Sequence, residues 1–171
     1  MKTLQKLILL SSILLLSINS YAQKFAYVDT DYILTKVPEF VQAEEKINEF
    51  SKKWQSEIEA AYQNVEQMYR TYQSEQVLLT SEMKTKREES IIEKEKSVQA
   101  LQQKYFGTQG ELYKKRQDLI KPIQDRIFDA VQQLAATNKY SIIFDASSDL
   151  IMLYSNPDLD KSDKVLELMG Y

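Results

Sequence analysis

The chain has 171 residues, with 22 Lys and Arg against 25 Asp and Glu, and it contains neither Cys nor His. An acidic balance argues against nucleic acid as a partner, because that binding depends on neutralising phosphates. Without Cys there is no disulfide, and without His the commonest general base and metal ligand are missing. With only three glycines, no Gly-rich phosphate loop exists, so we predict neither an enzyme nor a bound cofactor.

The first 22 residues have the pattern of a secretory signal peptide. Lys2 and Lys6 form a positive start, residues 7–16 are nearly all apolar, and a small residue, Ala22, ends the segment. The apolar run is about half of what a bilayer span needs. We therefore predict cleavage after Ala22 and a mature periplasmic protein that begins at Gln23. No Cys follows to carry a lipid anchor.

The mature chain opens with signals for one strand and one short helix. Residues 25–28 are rich in β-forming side chains and predict a strand. Residues 30–37 predict a short helix, with Asp29 or Thr30 as its N-cap. Pro38 is well placed at the first position of a longer helix.

A helical pattern then runs over residues 40–138. Its apolar positions recur every three or four residues, and no Gly or Pro falls between Glu39 and Phe106. The only interruption we predict lies near residues 79–81, which gives an antiparallel hairpin with its tip at residues 79–83. Thr80 or Ser81 can cap the returning helix. The outgoing stripe consists of Phe40, Ala43, Ile47, Phe50, Trp54, Ile58, Ala61, Val65, Met68 and Tyr72.

The returning helix carries a second stripe with three weak points. Gly107 and Gly110 are expected to soften it, each by about 1 kcal/mol relative to Ala, and Pro122 is expected to kink it. The stripe includes Ile91, Val98, Leu101, Tyr105, Leu112, Leu119, Ile123, Ile127, Ala130 and Leu134.

The C-terminal segment predicts a β-hairpin and a last helix. Residues 140–145 and 150–154 read as two strands joined by a turn, and Val165, Leu166 and Met169 suit a short closing helix. Residues 23–38 and 139–171 then form a head of about 50 residues, which is too small to bury much core alone. The prediction is an α+β, mostly helical protein: a long helical hairpin, residues 39–138, projecting from a small β-rich head that oligomerises.

Several short sequence blocks, taken together with their order and spacing, resemble those of a known protein family. The chain resembles the Skp/OmpH family of periplasmic chaperones over nearly its whole mature length. The blocks are residues 25–34 followed by Pro38, Glu39 and Phe40; Gly110 with Lys114, Lys115, Arg116 and residues 119–123; residues 140–145; and residues 163–168.

The resemblance implies a homotrimer whose heads share a barrel-like body, with three helical arms around a cavity. It implies a holdase that binds unfolded outer-membrane proteins without ATP. On this reading the trimer core would comprise Phe25, Tyr27, Val28, Ile142, Phe144, Ile151 and Leu153.

The charge of the arm departs from the family pattern. The best-known members are strongly basic, whereas residues 39–138 hold 15 Lys and Arg against 17 Asp and Glu. We therefore do not carry over binding to lipopolysaccharide or to membrane surfaces.

Five aromatic side chains in the arm are candidate contacts for an unfolded client. The alternative is that they only close the seam between the two helices, and this alternative is stronger for the two on the main stripe, Trp54 and Tyr72. A second functional reading is a structural or adaptor protein of the envelope that docks by its tip. The five candidates are Trp54, Tyr62, Tyr69, Tyr72 and Tyr105.

Overall fold

The structure, a computed structural model, describes residues 23–148 and 152–171, so the predicted signal segment lies outside it. It is mostly helical, as predicted, and has a small two-stranded sheet. Among the described helices, none is long and apolar enough to span a bilayer. The elements are β1 (Lys24–Val28), α1 (Thr30–Lys36), α2 (Pro38–Glu75), α3 (Ser81–Phe106), α4 (Glu111–Asn138), β2 (Tyr140–Asp145), a 3-10 turn (Pro157–Leu159) and α5 (Ser162–Met169).

The predicted helix starts are confirmed. The carboxylate of Asp29 caps α1 by accepting a hydrogen bond of 2.9 Å from the amide of Tyr32. Pro38 opens α2, where its missing N–H removes no helical bond. The hydroxyl of Thr80 caps α3 by accepting from the amide of Met83 at 3.3 Å.

Helices α2 and α3 form the predicted antiparallel hairpin around a turn at residues 76–80. The 38 residues of α2 give an arm of about 57 Å. Side-chain hydrogen bonds cross the seam between α2 and α3. The residue numbers of the partners rise along α2 as they fall along α3, so the two helices are antiparallel. These pairs include Glu57 with Tyr105, Tyr62 with Gln102, and Tyr72 with Glu88.

The returning arm is two helices, and the prediction of one softened helix was wrong. α3 ends at Phe106, and α4 begins at Glu111. A Cβ atom on Gly107 would lie 2.4 Å from the carbonyl oxygen of Gln103, so the backbone turns there in a space that admits no side chain. Pro122, in contrast, sits inside a continuous α4.

The sheet is parallel, and the predicted β-hairpin at residues 140–154 was wrong. Phe25 pairs with Ile142 and Tyr27 with Phe144. Parallel strands need a long crossover connection, and here the whole helical arm forms the crossover between β1 and β2. Residues 152–154 form no strand, and positions 150 and 151 lie outside the described residues. The other edge of β1 is covered where the amide of Lys161 donates to the carbonyl of Tyr27 at 2.9 Å.

The head core includes the root of the arm. Ile33 and Val165 are fully buried, and they belong to one apolar cluster with Ile47 of α2 and Ile123 of α4. The small head therefore gains core from the two long helices, which offsets part of the deficit expected of about 50 residues.

Asp145 fastens the end of β2 to the start of α1. Its carboxylate accepts from the Thr30 hydroxyl at 2.7 Å and amide at 3.2 Å, and from the Ser147 hydroxyl at 2.8 Å and amide at 3.0 Å. Burial alone would raise the pKa of Asp145, but the hydrogen bonds from Thr30 and Ser147 together outweigh it and lower the pKa.

A depressed carboxyl pKa predicts a head that loses stability in acid. The contribution of Asp145 is present above its unfolded pKa, about 3.9, and is lost as the pH falls through the lower folded value. We expect Asp145→Asn to cost about 1–3 kcal/mol at neutral pH, with the difference in melting temperature from the wild type narrowing below about pH 4. The control Asp158→Asn, at an exposed position, should leave the melting temperature nearly unchanged. If the difference in melting temperature between Asp145→Asn and the wild type does not vary with pH, the stabilising role of the Asp145 carboxylate is wrong.

Candidate functional site

The arm has its own apolar core, separate from that of the head. Buried residues from α2 and α3 alternate across the seam, as the two stripes predict. These residues are Trp54, Ile58, Val65, Ile91, Val98 and Tyr105.

An aromatic stack closes this core at its head end. The rings of Trp54 and Tyr105 lie 4.9 Å apart and nearly parallel, with Phe50 stacked on Trp54 at 5.4 Å and Phe106 edge-on at 6.5 Å. The Tyr105 hydroxyl donates to Glu57 at 3.0 Å. Burial and this hydrogen bond raise the pKa of Tyr105, so the hydroxyl stays a donor. Trp54 and Tyr105 are each only 8% exposed. In this conformation both rings pack inside the seam between α2 and α3, as the alternative to client contact expects.

Tyr62 and Tyr69 lie beside the seam and present their rings to solvent. Each is 46% exposed, and the Tyr62 hydroxyl donates to Gln102 at 3.3 Å. Tyr72 is half-buried, and its hydroxyl donates a hydrogen bond to Glu88. This hydrogen bond raises the pKa of Tyr72. The structure therefore divides the five predicted contacts into exposed Tyr62 and Tyr69, intermediate Tyr72, and buried Trp54 and Tyr105.

The tip, through which the predicted adaptor alternative would dock, exposes apolar side chains. Val77 and Leu78 are 85% and 86% exposed, and Met83 is half-exposed. Their exposure agrees with the sequence, because an apolar run at the predicted turn has no stripe to join. Two ion pairs flank the turn, Arg87 with Glu75 and Lys86 with Glu82.

The sheet has one buried and one uncovered face. The predicted core residues Phe25, Tyr27, Ile142 and Phe144 share the outer face, because β1 and β2 pair them in register. Three of them are 37–47% exposed, and Tyr27 is half-buried. Val28 points to the other face and is buried in the head's own core, so it does not belong to this surface.

Two further predicted core residues have different outcomes. Leu153 is 95% exposed in a segment without regular structure, next to Tyr154, which is 85% exposed. Ile151 lies outside the described residues. Close to the sheet, Phe128 of α4 is 62% exposed beside a groove formed with Leu34, which sequence reasoning had not singled out.

Across residues 23–148 and 152–171, no group of three or more Asp or Glu side chains has the geometry to hold an ion. Asp29 instead caps α1, and Asp145 accepts hydrogen bonds from Thr30 and Ser147.

The comparisons with known proteins agree with this architecture. A family model described as outer membrane protein, OmpH-like, matches residues 24–169. The chain belongs to the OmpH-like family. A crystal structure described as an OmpH-like outer membrane chaperone from Caulobacter crescentus CB15 superposes with a TM-score of 0.68. The match covers 87% of this chain and 85% of that one at 13% identity, so this likeness concerns the fold. No curated protein matches the chain.

Proposed function

We propose that this OmpH-like protein is a periplasmic holdase that keeps unfolded outer-membrane proteins from aggregating, without ATP. The observation that carries the proposal is a long arm whose aromatic surface extends beyond its own seam, at Tyr62 and Tyr69. The family match and the chaperone description of the structural neighbour support it.

The chemistry of the arm suits a chain that must be held without being ordered. An unfolded barrel strand alternates apolar and polar residues, so it matches a helix face where tyrosine rings lie among charged side chains. Many weak contacts of this kind hold the client while fixing no single conformation. A mature charge of about −5, with 20 basic and 25 acidic residues after the predicted cleavage, gives no reason to add an anionic lipid as ligand.

The proposal includes a homotrimer built on the uncovered sheet face. Parallel sheets are almost always covered on both sides, and here one apolar face is open to solvent. Packing Phe25, Ile142 and Phe144 against the heads of neighbouring copies would cover it, and the exposed Leu153 offers each copy more apolar surface.

Removing both exposed rings should weaken client holding. We expect Tyr62→Ser with Tyr69→Ser to need roughly five- to tenfold more chaperone to suppress aggregation of an outer-membrane barrel diluted from urea, because the variant loses two aromatic contacts near the lower end of the range of about 0.5–1.5 kcal/mol each. Light scattering of the diluted barrel measures this. The matched control, Asn64→Ser with Gln67→Ser, changes exposed polar positions of the same helix. Failure of stoichiometric wild-type protein to suppress aggregation would overturn the proposed function.

The exposed tip favours one alternative, an envelope adaptor that docks through Val77 and Leu78. The two functions differ in where affinity lies. Replacing residues 77–83 with a neutral turn would abolish adaptor binding and leave a holdase largely intact.

A further inference from the structure

The break in the returning arm lies at the border between two apolar clusters. On one side is the head cluster with Ile47 and Ile120, and on the other is the arm cluster that begins with Trp54 and Tyr105. Leu112, just beyond the break, packs against both. Movement at this border therefore leaves the centre of each core intact.

Only one of the two helices is interrupted at this level. α2 runs unbroken through Phe50 and Trp54, whereas α3 ends opposite them at Phe106. A Cβ atom on Gly110 would lie 2.8 Å from the carbonyl oxygen of Tyr105, so the glycines let the chain turn tightly against the end of α3. Tyr105 and Phe106 consequently belong to a terminal helical turn.

This last turn of α3 covers Trp54. Terminal turns open at lower free energy than helix interiors, because fewer hydrogen bonds and contacts must break. The contacts that keep this turn closed include the stack of Tyr105 on Trp54, the edge-on contact of Phe106 with Trp54, and the hydrogen bonds from the Tyr105 hydroxyl to the carboxylate of Glu57. Glu57 itself is exposed.

We propose that Trp54 is a concealed client-binding site, uncovered when the last turn of α3 unwinds at the glycine break. Its ligand is an aromatic or branched apolar side chain of an unfolded polypeptide, above all the aromatic residues that flank the apolar band of a barrel strand. The client's ring takes the place of the Tyr105 ring, so the aromatic surface of Trp54 is buried again. The inference rests on the proposed function and adds a second site to Tyr62 and Tyr69.

The site has a built-in reporter, because Trp54 is the only tryptophan in the chain. The probe is a tryptophan-free peptide that alternates Phe or Tyr with polar residues, with and without 4-bromophenylalanine, whose bromine quenches tryptophan fluorescence at contact. We expect the brominated peptide to quench Trp54 on binding, and the plain peptide to do so much less.

The variant Tyr105→Phe keeps the ring and removes its hydrogen bond to Glu57. Losing one such bond should populate the open turn roughly fivefold more, so half-maximal quenching should need roughly fivefold less peptide. Tyr32→Phe is the matched control, because it removes a tyrosine–carboxylate bond of 3.0 Å to Asp163 in the head. It should behave like the wild type. Circular dichroism checks that both variants keep their helices.

The outcomes separate this inference from the proposed function. If the protein holds the peptide or an unfolded barrel and the brominated peptide leaves Trp54 unquenched, the concealed site is wrong while the holdase stands. A peptide that does not bind at all also overturns the site. Quenching without any suppression of barrel aggregation would keep the site and reject the holdase.

Discussion

Replacing Trp54 with alanine is expected to lower the free energy of unfolding of the arm by about 3–5 kcal/mol. The side chain is 8% exposed and packs against Phe50, Tyr105 and Phe106, so truncation removes the centre of a four-ring cluster. A cavity would remain, because α2 is held in register by the seam on one side and the head on the other.

Denaturant unfolding followed by circular dichroism measures this loss, and amide hydrogen exchange locates it. We expect protection to fall first near Trp54 and in the last turns of α3, with β1 little changed, because the head has a separate core. Lys53→Ala is the control, an exposed position one residue earlier. A loss below about 1 kcal/mol would mean that the stack does not hold the arm together.

Placing two lysines on the outer sheet face is expected to prevent association of the heads. Ile142 and Phe144 are 47% and 37% exposed in the single chain, so Ile142→Lys with Phe144→Lys should leave the fold of each copy intact. In an assembly the same positions would be covered, and unpaired charges there cost several kcal/mol each. The expected result is a change from an oligomer to single chains.

Multi-angle light scattering during gel filtration measures the mass of this variant directly. Its control adds the same two charges to exposed positions of α2, Ser56→Lys with Asn64→Lys, and should stay oligomeric. If the sheet variant keeps the wild-type mass, the outer face is not the contact between copies.

Local chemistry made much of this fold predictable from sequence. The periodic stripes predicted which residues close the arm, and Ile47, Trp54, Ile58 and Val65 are buried as expected. The helix starts at Asp29, Pro38 and Thr80 were also predictable from the sequence, because each depends on contacts with residues only a few positions away.

The errors arose where the outcome depends on distant contacts. The helix propensity of each glycine, taken separately, predicted only a softer helix. In the structure the backbone at Gly107 turns close to the carbonyl oxygen of Gln103, and the helix ends there. β2 pairs with β1 across the whole arm, a partner that no local pattern identifies, so residues 140–145 were paired with the wrong neighbour. The placement of Val28 in the inner core and of Phe25 on the outer face was set by the same pairing.

The candidate contacts were less predictable than the fold. Helical spacing places Trp54 and Tyr72 on the outgoing stripe and leaves Tyr62 and Tyr69 beside it, but spacing does not say how far each ring extends past the seam. Packing decides that: Tyr62 and Tyr69 lie beside the contact with α3, while Trp54 and Tyr105 lie in it. The exposed Phe128 lies off the returning stripe, and our sequence reasoning did not single it out.

The most direct test of a shared client cavity is the light-scattering mass of the mature protein with and without an unfolded outer-membrane barrel. We predict a complex of three chains and one client, formed without nucleotide. A single chain in both states, or one client bound per single chain, would contradict it.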